Sequence, residues 1–119
     1  VRIVVDLDGT ICRLKQGGES YGEVLPIPGA AEALRQLKQE GHEIIIYTAR
    51  SMRTEGGNAG KVIANVGKTT LEWLAQHQIE YDEIVFGKPY GQVYIDDLAI
   101  SFTNWQEVLR KLRREEGSG

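Results

Sequence analysis

The sequence holds a single cysteine, Cys12, in 119 residues, so no disulfide can form within the chain. Its two histidines, His42 and His77, are isolated, and with one thiol they cannot build a zinc site. No apolar run reaches the roughly 20 residues of a membrane-spanning helix, and none follows a basic stretch as in a secretory signal. Charge of neither sign dominates: the net value of -3 gives no electrostatic reason to expect nucleic acid as the main partner. A cytoplasmic protein with no membrane partner is the expectation. The length suits one domain with one core and leaves no room for a second domain or a large lid. Residues 1–116 are expected to form that unit, with Gly117-Ser118-Gly119 as a flexible tail.

What is present reads as strands alternating with helices. Residues 2–7 are a β-branched, apolar run halted by Gly9, and residues 43–47 form a second such run, Glu43-Ile44-Ile45-Ile46-Tyr47. Between them Pro28 suits a helix start, Ala31, Leu34 and Leu37 recur at helical spacing, and Gly41 supplies a stop. Residues 51–67, rich in Gly and Asn, read as a long loop beside a site. Residues 68–77 read as a helix, 84–86 as a third strand and 93–95 as a fourth, and Asn104 caps a last helix through Leu112, with Glu107 three residues on. Alternation of this kind implies an α/β fold with a parallel sheet covered by helices, whose ligand sits beyond the carboxyl ends of the strands.

The polar clusters fall at those ends. In Asp6-Leu7-Asp8-Gly9-Thr10, residues two apart on extended chain share a face, so Asp6 and Asp8 can address one reacting group while Leu7 enters the core. A carboxylate is a competent nucleophile toward phosphoryl groups, and a second can shuttle the proton. Taken alone, Asp8-Gly9 also suits a hairpin turn. Asp96-Asp97 follow the fourth strand. Four carboxylates at one edge would repel unless a cation lay among them, and Mg²⁺, a hard ion that takes oxygen ligands, fits best. Lys88 follows the third strand and can hold a phosphate as a point charge; Thr48, after the second, can donate a hydroxyl hydrogen bond.

In this order, Asp6-x-Asp8-Gly9-Thr10, Thr48, Lys88 and Asp96-Asp97, the set resembles the four motifs of the haloacid dehalogenase (HAD) superfamily of phosphohydrolases over nearly the whole chain. The resemblance implies a three-layer Rossmann-like fold with minimal or no cap. It implies an Mg²⁺-dependent phosphatase acting on a small phosphorylated metabolite. Asp6 would be the nucleophile and a metal ligand, and Asp8 the general acid and base and a ligand through its backbone carbonyl. Thr48 and Lys88 would hold phosphate, and Asp96 and Asp97 would bind metal. Tyr47-Thr48-Ala49-Arg50 and Met52-Arg53-Thr54 are similar to stretches of the small capless phosphatases of capsule and polysaccharide biosynthesis. On that likeness Gly9, Thr10, Ala49, Arg50 and Arg53 are candidates for contacting substrate, although both arginines also suit a solvent-facing loop.

One departure stands out. Between the Lys88 strand and the Asp96 strand only Pro89-Tyr90-Gly91-Gln92 remain, too few for a helical crossover. Apolar surface near Tyr90, Val93 and Tyr94 would then be left for another subunit, and a homo-oligomer is expected. Three other readings stand beside the hydrolase: a phosphoryl-transfer mutase, which needs a cap to exclude water; a nucleic acid 3′-phosphatase using Arg13, Lys15, Arg50 and Arg53; and a non-catalytic module that binds phosphorylated ligands.

Overall fold

A continuous apolar strand with both faces covered sits at the centre of a three-stranded parallel sheet. The computed structural model describes residues 1–118. Its elements run β1 (Arg2–Asp6), α1 (Ala30–Gln39), β2 (Glu43–Thr48), α2 (Ala59–Gln76), β3 (Glu83–Phe86) and α3 (Trp105–Ser118). The sheet order is β1-β2-β3, with Asp6 opposite Tyr47 and Thr48 opposite Phe86. Ile44, Ile45 and Ile46 of β2 are all buried, as expected of a central parallel strand. The flanking strands bury less, and Val4 and Val85 are exposed. The α/β fold with a parallel sheet flanked by helices is the one the alternating pattern implied.

α1 forms where its spacing indicated, with Ala30, Ala33, Leu34 and Leu37 buried along one stripe. Gly29 and Gly41, at φ 86° and 93°, bracket it in the left-handed region. At the carboxyl end His42 N donates to Leu37 O and Gly41 N to Lys38 O, the paired bonds of a Schellman motif. α3 starts where Asn104 Oδ1 accepts from Glu107 N at 2.9 Å. The Glu107 carboxylate turns to Arg110 instead of closing a capping box. This helix passes Leu112 and continues to Ser118; Gly119 lies outside the described residues.

Two expectations are corrected. The stretch 51–67 is not all loop, because α2 begins at Ala59, with Asn58 Oδ1 accepting from Lys61 N at 3.1 Å. Val62, Val66, Thr70, Trp73 and Leu74 make its buried seam, and this packing overrides the Gly and Asn content of its first turns. Residues 93–95 form no strand: Val93 and Ile95 are 74% and 97% exposed. Local bonds hold that segment instead, Tyr94 Oη donating to Pro89 O at 2.6 Å and Leu98 N to Asp96 Oδ1 at 2.8 Å. β-branched residues favour a strand only where a neighbour completes the ladder.

The main core joins Leu7, Ile11, Leu34, Ile44, Ile46, Trp73, Leu74 and Trp105. Trp73 and Trp105, the two tryptophans, are core anchors. Trp105 Nε1 donates to Thr10 O at 2.9 Å and so ties α3 to the turn after β1. His42 is buried, and the half-buried His77 ring lies 4.4 Å from that of Trp73. No helix among the described residues is long and apolar enough to cross a membrane.

At the opposite edge of the sheet Asp82 joins three elements. Its Oδ1 pairs with Lys38 Nζ at 2.5 Å and its Oδ2 accepts from Ile44 N at 2.8 Å. The Lys38 hydrogen bond first, then that of the Ile44 amide, holds the carboxyl below its ordinary value. A depressed carboxyl stabilises the fold above its unfolded pKa, and the contribution disappears as pH falls through the folded one. Asp82→Asn is therefore expected to lower the urea midpoint at pH 7, with the gap to wild type closing as pH falls below the ordinary carboxylate range. A gap independent of pH would show that the ion pair is not its source.

Candidate active site

The site begins where β1 stops. Leu7 is fully buried, and its carbonyl accepts from Thr10 N, Ile11 N and Cys12 N, closing a tight turn. Gly9 sits in that turn at φ 93°, a conformation side chains resist. The turn projects Asp6 and Asp8, both half-buried, from the carboxyl edge of the sheet.

Asp6 Oδ1 lies 3.2 Å from Lys88 Nζ, and its Oδ2 accepts from Thr10 Oγ1 at 3.4 Å. Burial pushes this carboxyl up, and Lys88 pulls it back without cancelling the shift. Lys88 reaches the site because Gly87 N and Lys88 N both donate to Thr48 O, at 3.2 and 3.0 Å. Gly87 has φ 104°, and a Cβ there would stand 3.2 Å from that of Ala59, so this approach requires glycine. The Lys88 ammonium also lies 4.2 Å from the centre of the Tyr94 ring.

Asp8 is held from the other side. Its Oδ2 accepts from Thr48 Oγ1 at 3.0 Å, and its Oδ1 accepts from Arg50 Nη2 at 2.7 Å and Nε at 3.3 Å. Thr48 Oγ1 also accepts from Arg50 N at 2.9 Å, so its one hydrogen goes to Asp8 where a phosphate oxygen was expected. Arg50, expected to grip substrate, is 3% exposed and points inward. Its Nη1 donates to Thr70 Oγ1 at 3.0 Å, its Nη2 meets Cys12 Sγ at 3.6 Å, and Tyr21 covers its guanidinium 4.1 Å from the ring centre. The Cys12 thiol is buried, and burial first, then Asp8, pushes it up to about 12, which leaves it inert as a nucleophile.

The structure thus gathers Asp6, Asp8, Thr10, Thr48, Arg50 and Lys88 at one edge. Gly9 and Ala49, both half-buried, flank them in the chain. Arg53 is exposed and lies against Tyr90, its Nη1 3.5 Å from the hydroxyl. Asp96 and Asp97, expected beside Asp6 and Asp8 at the end of a fourth strand, are exposed on the segment that forms none. No group of three or more His, Cys, Asp or Glu side chains that could hold a metal converges among the described residues. The donors suit Mg²⁺ in kind, being oxygens, but this arrangement does not assemble them into a metal site. Sequence reasoning missed Tyr21 and Thr70 as parts of the site. A guanidinium two residues past a buried strand end hints that it needs buried partners, but the sequence does not say which.

The family model for haloacid dehalogenase-like hydrolases matches residues 3–72. No curated protein matches the sequence. A solved structure from Vibrio cholerae, a structural-genomics target, is 40% identical with a TM-score of 0.78, covering 96% of this chain and 98% of that one. A conserved Bacteroides thetaiotaomicron protein shares the fold at 21% identity and TM-score 0.62, over 96% and 90% of the two chains. So does the D,D-heptose 1,7-bisphosphate phosphatase of B. bronchiseptica, solved with magnesium and phosphate, at 21% identity and TM-score 0.52, over 98% of this chain and 63% of that one. With its family model spanning more than half of the sequence, this chain belongs to the haloacid dehalogenase-like hydrolases.

Proposed function

We propose that the chain hydrolyses phosphate monoesters through an aspartyl-phosphate on Asp6, with a small phosphorylated metabolite such as a sugar phosphate as substrate. The observation that carries this reading is the Asp6–Lys88 contact of 3.2 Å at the sheet's carboxyl edge, with Asp8 two residues away. A nucleophile and the cation that screens a phosphate's charge stand together there, and a proton carrier stands beside them.

In the first step an Asp6 oxygen attacks phosphorus, the bond to the leaving oxygen breaks, and Asp8 gives that oxygen its proton. In the second, Asp8 takes a proton from water, the water oxygen attacks phosphorus, and the Asp6–phosphorus bond breaks to release inorganic phosphate. Lys88 holds the phosphoryl oxygens in both steps, where charge stabilisation is most of the catalysis. Thr10 orients Asp6 through its hydroxyl, and Gly9, with no side chain, leaves the turn open to substrate. Arg53 is exposed at the rim beside Tyr90, where it is free to meet the rest of the substrate. Mg²⁺ belongs to this reading as the cofactor that would neutralise phosphate charge, with Asp6 and the Asp8 carbonyl as the ligands this edge offers; Asp96 and Asp97 stand apart from them here. The likeness to a phosphatase solved with magnesium supports it.

The test is turnover of p-nitrophenyl phosphate by the purified chain with Mg²⁺ and with EDTA. Turnover that EDTA abolishes is the expected result. No turnover, together with failure of phosphate and Mg²⁺ to bind by calorimetry, would sink the hydrolase in favour of a module without catalysis. The reading also takes the chain as a homo-oligomer. Val93, Ile95 and Leu98, 74%, 97% and 87% exposed, are large apolar side chains of the kind a second subunit covers. Light scattering at micromolar concentration is expected to give more than the monomer mass, and a monodisperse monomer would remove this part.

A further inference from the structure

The two carboxylates of the site are treated differently by their surroundings. Asp6 meets a lysine whose side chain keeps some exposure to solvent. Asp8 meets an arginine whose side chain has no exposure and whose guanidinium is fixed on several sides at once. Such a group cannot reach out to a substrate without taking its donor from the buried Thr70 hydroxyl and two donors from the half-buried Asp8 carboxylate. Two of its donors, Nε and Nη2, converge on one oxygen of Asp8, and Nη1 is pinned to Thr70 on α2. Thr48 takes the other Asp8 oxygen. The carboxylate plane is thereby set by three hydrogen bonds, two of them from one rigid guanidinium.

From this geometry we infer that Arg50 is a positioning residue, which aims Asp8 at the leaving oxygen and, after it, at the attacking water, with Thr70 and the Tyr21 ring holding Arg50 in place. The inference rests on the hydrolase reading and gives its proton carrier a mechanical support that begins in α2. Thr70 touches no substrate in this arrangement; it acts only through Arg50. A proton carrier is sensitive to aim, because misplacement by about 1 Å can cost on the order of a hundredfold in rate.

Leaving groups separate this role from a merely structural one. Nitrophenolate departs without a proton, whereas an alkoxide such as that of glycerol 2-phosphate needs one. Loosening Asp8 therefore slows release of the alkoxide more than release of nitrophenolate. Thr70→Val keeps the shape of the side chain and removes the anchor for Nη1; Thr70→Ser keeps the hydroxyl. Steady-state kinetics on both substrates would be measured for wild type and the two variants, with circular dichroism to establish that each is folded. Thr70→Val is expected to lower kcat/KM, which runs only as far as release of the leaving group, by about tenfold for glycerol 2-phosphate and by about threefold or less for p-nitrophenyl phosphate. Thr70→Ser is expected to restore both. Arg50→Lys, which cannot present two donors to one oxygen, should show the same bias toward the nitrophenyl ester, more strongly. Equal losses of kcat/KM on the two substrates would overturn the inference and return Arg50 to substrate binding. A wild-type chain inactive on both esters would instead overturn the hydrolase reading itself.

Discussion

Asp6→Asn is expected to lower turnover of p-nitrophenyl phosphate by roughly a thousandfold or more, the scale on which loss of a covalent nucleophile is felt. The amide nearly matches the carboxylate in shape, so Lys88 and Thr10 keep their places and the loss reports chemistry, not collapse. Asp8→Asn is expected to behave differently on the same substrate. Nitrophenolate needs no proton to leave, so the first step survives, whereas the second has lost the group that deprotonates water. Rapid mixing should then show a burst of nitrophenolate near one equivalent of enzyme, followed by slow turnover. Mass spectrometry of acid-quenched protein should find one phosphoryl group attached. Asp6→Asn should give neither burst nor adduct. Turnover retained in Asp6→Asn would end the aspartyl-phosphate mechanism, and a simple proportional loss without a burst in Asp8→Asn would remove Asp8 from the second step.

Much of this site was legible because its residues sit where strands end. Asp6, Thr48 and Lys88 each follow an apolar run whose composition marks it as a strand, and parallel pairing of those runs brings the three together. The fourth run was not legible in the same way. Val93, Tyr94 and Ile95 have strand-forming side chains, but a strand also needs a partner edge, and Asp96 and Tyr94 have local bonds that compete for the chain. Asp96 and Asp97 consequently stay apart from the carboxylates they were expected to join. The start of α2 was hidden by composition: Gly56, Gly57, Asn58 and Gly60 read as loop, and only the later spacing of Val62, Val66 and Thr70 reveals the helix. Arg50 was hidden by distance along the chain. Its partners Asp8 and Thr70 lie 42 and 20 residues away, and an arginine in a Gly-rich stretch reads as exposed until its cavity is seen.

Trp73→Ala, far from any reacting atom, is expected to destabilise the chain by about 3–5 kcal/mol in urea unfolding at 25 °C, the usual cost of truncating a buried tryptophan. Trp73 is 1% exposed and stands on α2 one turn beyond Thr70. Its Nε1 donates to Val24 O at 2.7 Å, so the indole both fills the core and holds the segment that follows Tyr21. Without the ring a cavity opens, and a buried carbonyl loses its donor, at about 1–3 kcal/mol if left unpaired. Since domains of this size are commonly stable by about 5–15 kcal/mol, the variant should be partly unfolded at 37 °C. Trp73→Phe separates the two contributions: it keeps most of the ring and loses the hydrogen bond, and should fall well short of the alanine variant. A loss under about 1 kcal/mol for Trp73→Ala would mean that the cavity had closed or that the indole is not the core anchor described. The same helix carries the Thr70 hydroxyl that holds Arg50 on Asp8. Loosening its packing at Trp73 should therefore reach the proton carrier before the chain unfolds, and the folded fraction of Trp73→Phe should show the bias against alkyl phosphates in milder form than Thr70→Val.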